Sequence, residues 1–132
     1  MKPETFLTPE KIRDLTLPVW RAFPQVKFAY LYGSLARGDN WIYSDVDIAV
    51  YLFPEKPMHL LDLRAALARA LKRDDIDLLI MNHTNNIILL EAIIREGVLL
   101  FERDPDLRQQ FESETLHQAI DFREQRKQIM GL

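Results

Sequence analysis

Gly33-Ser34-Leu35-Ala36-Arg37-Gly38-Asp39-Asn40-Trp41-Ile42-Tyr43-Ser44-Asp45-Val46-Asp47 is the stretch whose reading decides the fold. Before it, Val26 to Tyr32 is rich in aromatic and branched residues and reads as a strand that ends abruptly at Gly33-Ser34. At its close, Asp45 to Leu52 reads as a second strand, with Ile48, Val50 and Leu52 on one face and Asp45, Asp47 and Ala49 on the other. Two carboxylates two residues apart on a strand point to the same side. They repel, and one is driven to take up a proton unless a cation sits between them. A divalent ion resolves the repulsion, and carboxylate oxygens are what a hard ion such as Mg²⁺ prefers. In sites with two such ions, these stand about 3.5–4 Å apart and clamp the attacking and leaving oxygens.

A third carboxylate must then come from elsewhere in the sheet. Asp75 to Met81 reads as a third strand, with Ile76, Leu78 and Ile80 on one face and Asp75, Asp77 and Leu79 on the other. Asp77 is the expected partner because it lies deeper in the apolar run, where an unpaired carboxylate is costly. Asp75, nearer the strand end, can find water and stays open as the alternative.

The Gly33-Ser34 turn supplies the other half of a site. A glycine there lets backbone amides approach a phosphate, and a helical turn beginning at Ser34 and running through Arg37 aims its positive end at it. The Ser34 hydroxyl can donate to a phosphate oxygen, and Arg37, one turn on, can reach the same triphosphate. Ser44 is the remaining candidate for binding the nucleotide. Plainer readings stand beside these: Ser34 as a helix cap, Arg37 as a surface ion-pair residue, Ser44 as a turn former. The pattern ending in Gly-Lys-Ser/Thr that defines a Walker loop is absent.

Working outward, Thr8-Pro9-Glu10 reads as a helix start, the helix running to Ala22 with a kink or restart at Pro18. Leu60, Leu63, Leu67 and Leu71 recur at helical spacing, predicting an amphipathic helix over 58–72. Asn85 or Asn86 caps a helix to Glu96, ended by Gly97, and Val98 to Glu102 reads as a fourth strand. Asp104-Pro105 opens a last helix reaching Gln128. Its sparse apolar positions suit either a solvated cover for the sheet or an arm for a partner. The expectation is one domain over 1–132, of α/β (α+β) class: a small mixed sheet packed with helices, core about 10–102, helical extension about 104–129.

Composition narrows the functions. With 48% hydrophobic and 28% charged residues the 132-residue chain is ordinary globular material, and without cysteine it has neither disulfides nor thiolate chemistry. The amino terminus reads as neither signal nor anchor, and no apolar run is long enough to span a bilayer, so a cytoplasmic protein is expected. A formal charge of −3 with scattered Lys and Arg argues against holding long nucleic acid, and no direct DNA binding is expected. Trp41 and Tyr43 either pack over a strand end or serve base stacking or docking. His59, His83 and His117 show no zinc-ligand spacing.

Gly-Ser, ten residues, then Asp-x-Asp, with Ala-Arg-Gly after the Gly-Ser and Ser before the first Asp, resembles the signature of the DNA polymerase beta-like nucleotidyltransferases. More narrowly it resembles the minimal nucleotidyltransferases (MNT) that form the antitoxin halves of HEPN/MNT toxin–antitoxin pairs. That resemblance implies a nucleotidyltransferase fold with helices on one side of a mixed sheet. It also implies two Mg²⁺ ions on Asp45, Asp47 and Asp77, and Gly33 and Ser34 cradling the β and γ phosphates of ATP. The implied reaction is transfer of AMP from ATP to a tyrosine of the cognate HEPN ribonuclease toxin, as in a type VII antitoxin. The competing expectations are an antitoxin that only binds its toxin, and a transferase acting on a small molecule. Known enzymes of the last kind are longer.

Overall fold

The computed structural model describes residues 7–38 and 45–131. The expectations for Trp41, Tyr43 and Ser44 fall outside those residues. Helix α1 (Pro9–Ala22) starts at Thr8, whose hydroxyl accepts from the Lys11 amide at 3.1 Å. It runs as one helix through Pro18, without a restart. One stripe of Ile12, Thr16, Val19 and Trp20 buries it, and the Thr16 hydroxyl returns to the Ile12 carbonyl at 2.7 Å.

Strand β1 (Val26–Tyr32) leads directly into the four-residue helix α2 (Gly33–Ala36), and β2 (Val46–Leu52) follows. Helix α3 (Pro57–Leu71) buries Leu63, Leu67 and Leu71, each worth about 1.5–3 kcal/mol of transfer free energy. Strand β3 (Ile76–Ile80) is one residue shorter at each end than expected, because Met81–His83 turns into a 3₁₀ helix. There the Asn82 side chain donates to the Leu52 carbonyl at 3.0 Å and accepts from the Leu52 amide at 3.1 Å, so a side chain takes over from the ladder. Asn86, not Asn85, caps α4 (Ile87–Glu96), accepting from the Leu89 amide at 3.1 Å. Strand β4 (Val98–Glu102) and helix α5 (Pro105–Met130) complete the chain.

The sheet order is β3-β2-β1-β4. β1 lies antiparallel to both β2 and β4, whereas β2 and β3 are parallel, with α3 crossing between them. Strand alternation then builds two cores. Ala29, Leu31, Ile48, Val50, Leu52 and Ile76 face α1 and α3. Phe28, Tyr30 and Ala49 face the other way, packing with Met81, Leu90 and Ile93 and with Leu107 and Phe111 of α5. The sheet is therefore covered on both faces, and the one-sided arrangement implied by the resemblance is corrected. The second cover is α4 and the first half of α5, whose Leu107, Phe111, Thr115 and Ala119 turn inward.

The last helix divides the two readings offered for it. Through Ala119 it is a cover, tied down by Tyr30 donating to Glu112 and by Arg108 bridging Glu102 and Glu112. From Ile120 to Met130 every residue is exposed, with Arg123 pairing to Glu91 of α4 at 2.5 Å. Among the described residues no helix is long and apolar enough to cross a membrane.

Candidate active site

Three neighbouring strands put one residue each on a single row. Tyr32 at the end of β1 pairs with Asp47 near the start of β2, and Asp47 pairs with Asp77 near the start of β3. Side chains in directly opposed positions share a face, so the row lies on the side covered by α4 and α5. Asp47 is half-buried and Asp77, on an edge strand, is exposed.

The two carboxyls come within hydrogen-bonding reach of each other. Burial, the charges of Asp77 and Asp45, and that hydrogen bond hold the Asp47 carboxyl up at about 6, against a pull downward from Arg37. Tyr32 is pushed up to about 12 by burial first and then by the charges of Asp77 and Asp47. Here is a half-buried cluster of negative charge, opposed among the described residues by the charge of Arg37. A cation is what the donor set fits, since hard oxygen ligands and clustered like charges both favour one. Asp45, exposed just before the start of β2, adds charge to the pair. Among the described residues no three acidic or imidazole side chains already stand in metal-holding geometry, so the fit rests on the Asp47–Asp77 pair.

Asp75 has another occupation. Arg73 grips it through two guanidinium nitrogens, one at 2.8 Å, and that hydrogen bond first of all lowers its carboxyl below the usual range. Its backbone carbonyl accepts from the Val46 amide at 2.9 Å, registering β3 against β2. The position opposite Asp47 thus belongs to Asp77. The reason differs from the one read in the sequence: Asp77 is not deep in the apolar run but open to solvent, and Asp75 is satisfied by an arginine rather than by water.

The Gly33 turn closes on the same carboxylates. Gly33 has φ +74, a region that favours glycine, and a Cβ built on it would stand 2.2 Å from the Asp47 Oδ2. Glycine is needed both for the turn and for room for the acid. Helix α2 starts at Gly33, one residue earlier than expected, and buried Leu35 anchors it. Its N-cap is Tyr32, with no side-chain cap bond, so the plain helix-cap reading of Ser34 falls away. The first amides of a helix have no partner inside it and remain available to an anion. Arg37, just past α2, is exposed and close enough for its charge to act on Asp47. The Ser44 expectation has no structural counterpart within the described residues.

Two features of this region escaped sequence reasoning. Tyr32 was readable from the alternation of β1 once its pairing with Asp47 was known. A cavity of about 250 Å³ lies between the Gly33 turn and α4, lined by Tyr32, Gly33 and Arg37 on one side and by Leu89, Ala92 and Glu96 on the other. It depends on how α4 packs, which no local pattern reveals.

Among solved structures, the fold is similar to a toxin–antitoxin complex with AMP-PNP, 24% identical, TM-score 0.74, over 90% of this chain and 95% of that one. It is also similar to the Shewanella oneidensis complex of tri-AMPylated HEPN toxin with MNT antitoxin, 22% identical, TM-score 0.69, over 94% and 97%. A third is the MntA–HepT toxin–antitoxin, 21% identical, TM-score 0.68, over 92% and 96%. At these identities the likeness is one of fold. No curated protein matches. The sequence model of the family described as "Polymerase beta, Nucleotidyltransferase" matches residues 17–106, most of the chain and every element of the site. With the carboxylate row and the glycine turn both inside that match, the chain belongs to the polymerase beta nucleotidyltransferase family.

Proposed function

We propose that this nucleotidyltransferase is an antitoxin that transfers AMP from ATP to a tyrosine of a HEPN-family ribonuclease toxin in the cytoplasm, so inactivating it. The observation that carries the reading is the in-register pair Asp47–Asp77 pressed against the Gly33 turn. A similar fold in complex with a tri-AMPylated HEPN toxin supports the choice of acceptor.

Asp45, Asp47 and Asp77 would hold two Mg²⁺ ions, which when bound supply positive charge against the charge developing on the phosphates. The chain's own groups do the positioning. The first amides of α2 and the Ser34 hydroxyl hold the β and γ phosphates, Arg37 and Ser44 meet the same triphosphate, and the α-phosphate lies over the carboxylate row. The tyrosine oxygen attacks phosphorus in line, the bond to pyrophosphate breaks, and the phenolic proton passes to the carboxylate edge. Asp77 suits that edge because it is exposed on an outer strand, where a protein acceptor can approach. Fixing both reactants supplies much of the rate.

Incubation with ATP, Mg²⁺ and the cognate toxin should raise the toxin's mass in units of AMP. Neutralisation of the toxin without any mass change would defeat the catalytic reading. The exposed second half of α5 favours a second reading, an antitoxin that neutralises by contact alone. Asp45→Asn with Asp47→Asn separates the two, because contact alone survives that change.

A further inference from the structure

We propose that Glu96 reads the sugar of the bound nucleotide, selecting ribonucleoside over 2′-deoxyribonucleoside triphosphates; the inference rests on the nucleotidyltransferase reading above. Glu96 is the last residue of α4 and lines the 250 Å³ cavity that opens beside Gly33 and Arg37. A carboxylate at the C-terminal end of a helix faces the negative end of the helix dipole and costs stability there. Among the described residues Glu96 makes no hydrogen bond and no ion pair, and Arg37 lines the same cavity. The backbone that carries it is held tightly. A Cβ at Gly97 would stand 2.4 Å from the Ile93 carbonyl oxygen and 3.0 Å from that of Leu31, so the turn out of α4 is tight and presents Glu96 from a rigid element.

The cavity's chemistry selects the ligand group. An ionised carboxylate only accepts hydrogen bonds and repels phosphate. Of the parts of a nucleotide whose phosphates lie at the Gly33 turn, the vicinal 2′ and 3′ hydroxyls offer two adjacent donors to its two oxygens. An acidic side chain reads the ribose 2′ hydroxyl in the same way in dinucleotide-binding folds. Leu89 and Ala92 supply the apolar wall against which the ring of the sugar or base packs.

The test is equilibrium binding of ATP and 2′-deoxy-ATP, with Mg²⁺, to the full chain and to Glu96→Ala. The unaltered protein should favour ATP by about tenfold or more, and the variant should bind the two within about twofold. Ala92→Trp, which fills the cavity, should lose both nucleotides and keep inorganic tripolyphosphate. Thermal unfolding verifies that each variant is folded. Equal binding of the two nucleotides by the unaltered protein, discrimination that persists in Glu96→Ala, or full ATP affinity in Ala92→Trp each overturns the proposal. If the unaltered protein binds no triphosphate at all, the nucleotidyltransferase reading falls with it; binding without sugar preference removes this inference alone.

Discussion

The parallel pair β2–β3 has two ends that are built on opposite terms. Where the strands finish, Asn82 satisfies both backbone groups of Leu52, and His83 lies against Glu55. Where they start, Asp47 and Asp77 face each other in register with the charge of Asp45 acting on the pair and Arg37 pulling the other way. The same strands thus carry an end where Asn82 completes the backbone pairing of Leu52 and an end crowded with like charge. Polar groups that are paired stabilise a fold, and uncompensated ones cost it stability. The starting end therefore contributes little to the fold and much to whatever it binds.

Breaking that contrast at the crowded end gives the largest expected effects. Asp45→Asn with Asp47→Asn should lower AMP transfer by on the order of 10³ or more, since charge stabilisation is the main catalytic term. The metal-free protein should at the same time unfold at a higher temperature, because a repulsion has been removed. Calorimetry beside a mass-spectrometric transfer assay reads both. A drop in stability together with activity would show the aspartates to be structural.

Gly33→Ala tests the same end through its geometry. The new Cβ meets the Asp47 carboxylate and must also adopt φ +74. We expect a loss of about 1–2 kcal/mol in stability, from the strain of a left-handed non-glycine residue, and a fall in transfer of on the order of 10² from the displaced acid. Unaltered kinetics would mean that the turn does not shape the site.

At the satisfied end the signature reverses. Asn82→Ala leaves both Leu52 groups without their partner. It should cost about 1–3 kcal/mol in chemical denaturation while leaving transfer within about twofold, since nothing at that end touches the reaction. A large kinetic effect would erase the distinction between the ends.

How much of this was legible follows the range of the interactions. Local signals placed every strand and long helix to within a residue or two, because the leucine stripe of α3 and the caps Thr8 and Asp104 are written in adjacent residues. The Gly33-to-Asp47 spacing placed the glycine turn and the carboxylates in one stretch for the same reason. What escaped depended on packing. That α4 and α5 cover the second face is decided by Phe111 meeting Phe28 and Tyr51, far apart in sequence. The Arg73–Asp75 grip, which frees the place opposite Asp47 for Asp77, joins residues only two apart, yet solvent was the expected partner of Asp75. The pairing of His83 with Glu55 spans a helix and a strand, and the spacing of the histidines held no hint of it.

The smallest effect sharpens the comparison most directly, because it titrates the crowding itself. The Asp47 carboxyl sits at about 6 in the folded protein against an ordinary 3.8. Between those values the folded state holds a proton that the unfolded state has released. Its contribution is therefore fully present below about pH 3.8 and is lost as pH rises through 6. Asp47 is only half-buried, and screening by water reduces the effect to about 1 kcal/mol. In metal-free buffer, stability should fall by that amount between pH 4 and 7 relative to Asp47→Asn, which lacks the titrating group. Asp77→Asn should flatten the same slope, because it removes the like charge that acts most strongly on Asp47 and leaves the fold otherwise alone. A profile identical in all three proteins would mean that the acids stand farther apart in solution than the register of β2 and β3 requires, and the contrast between the two ends would lose its physical basis.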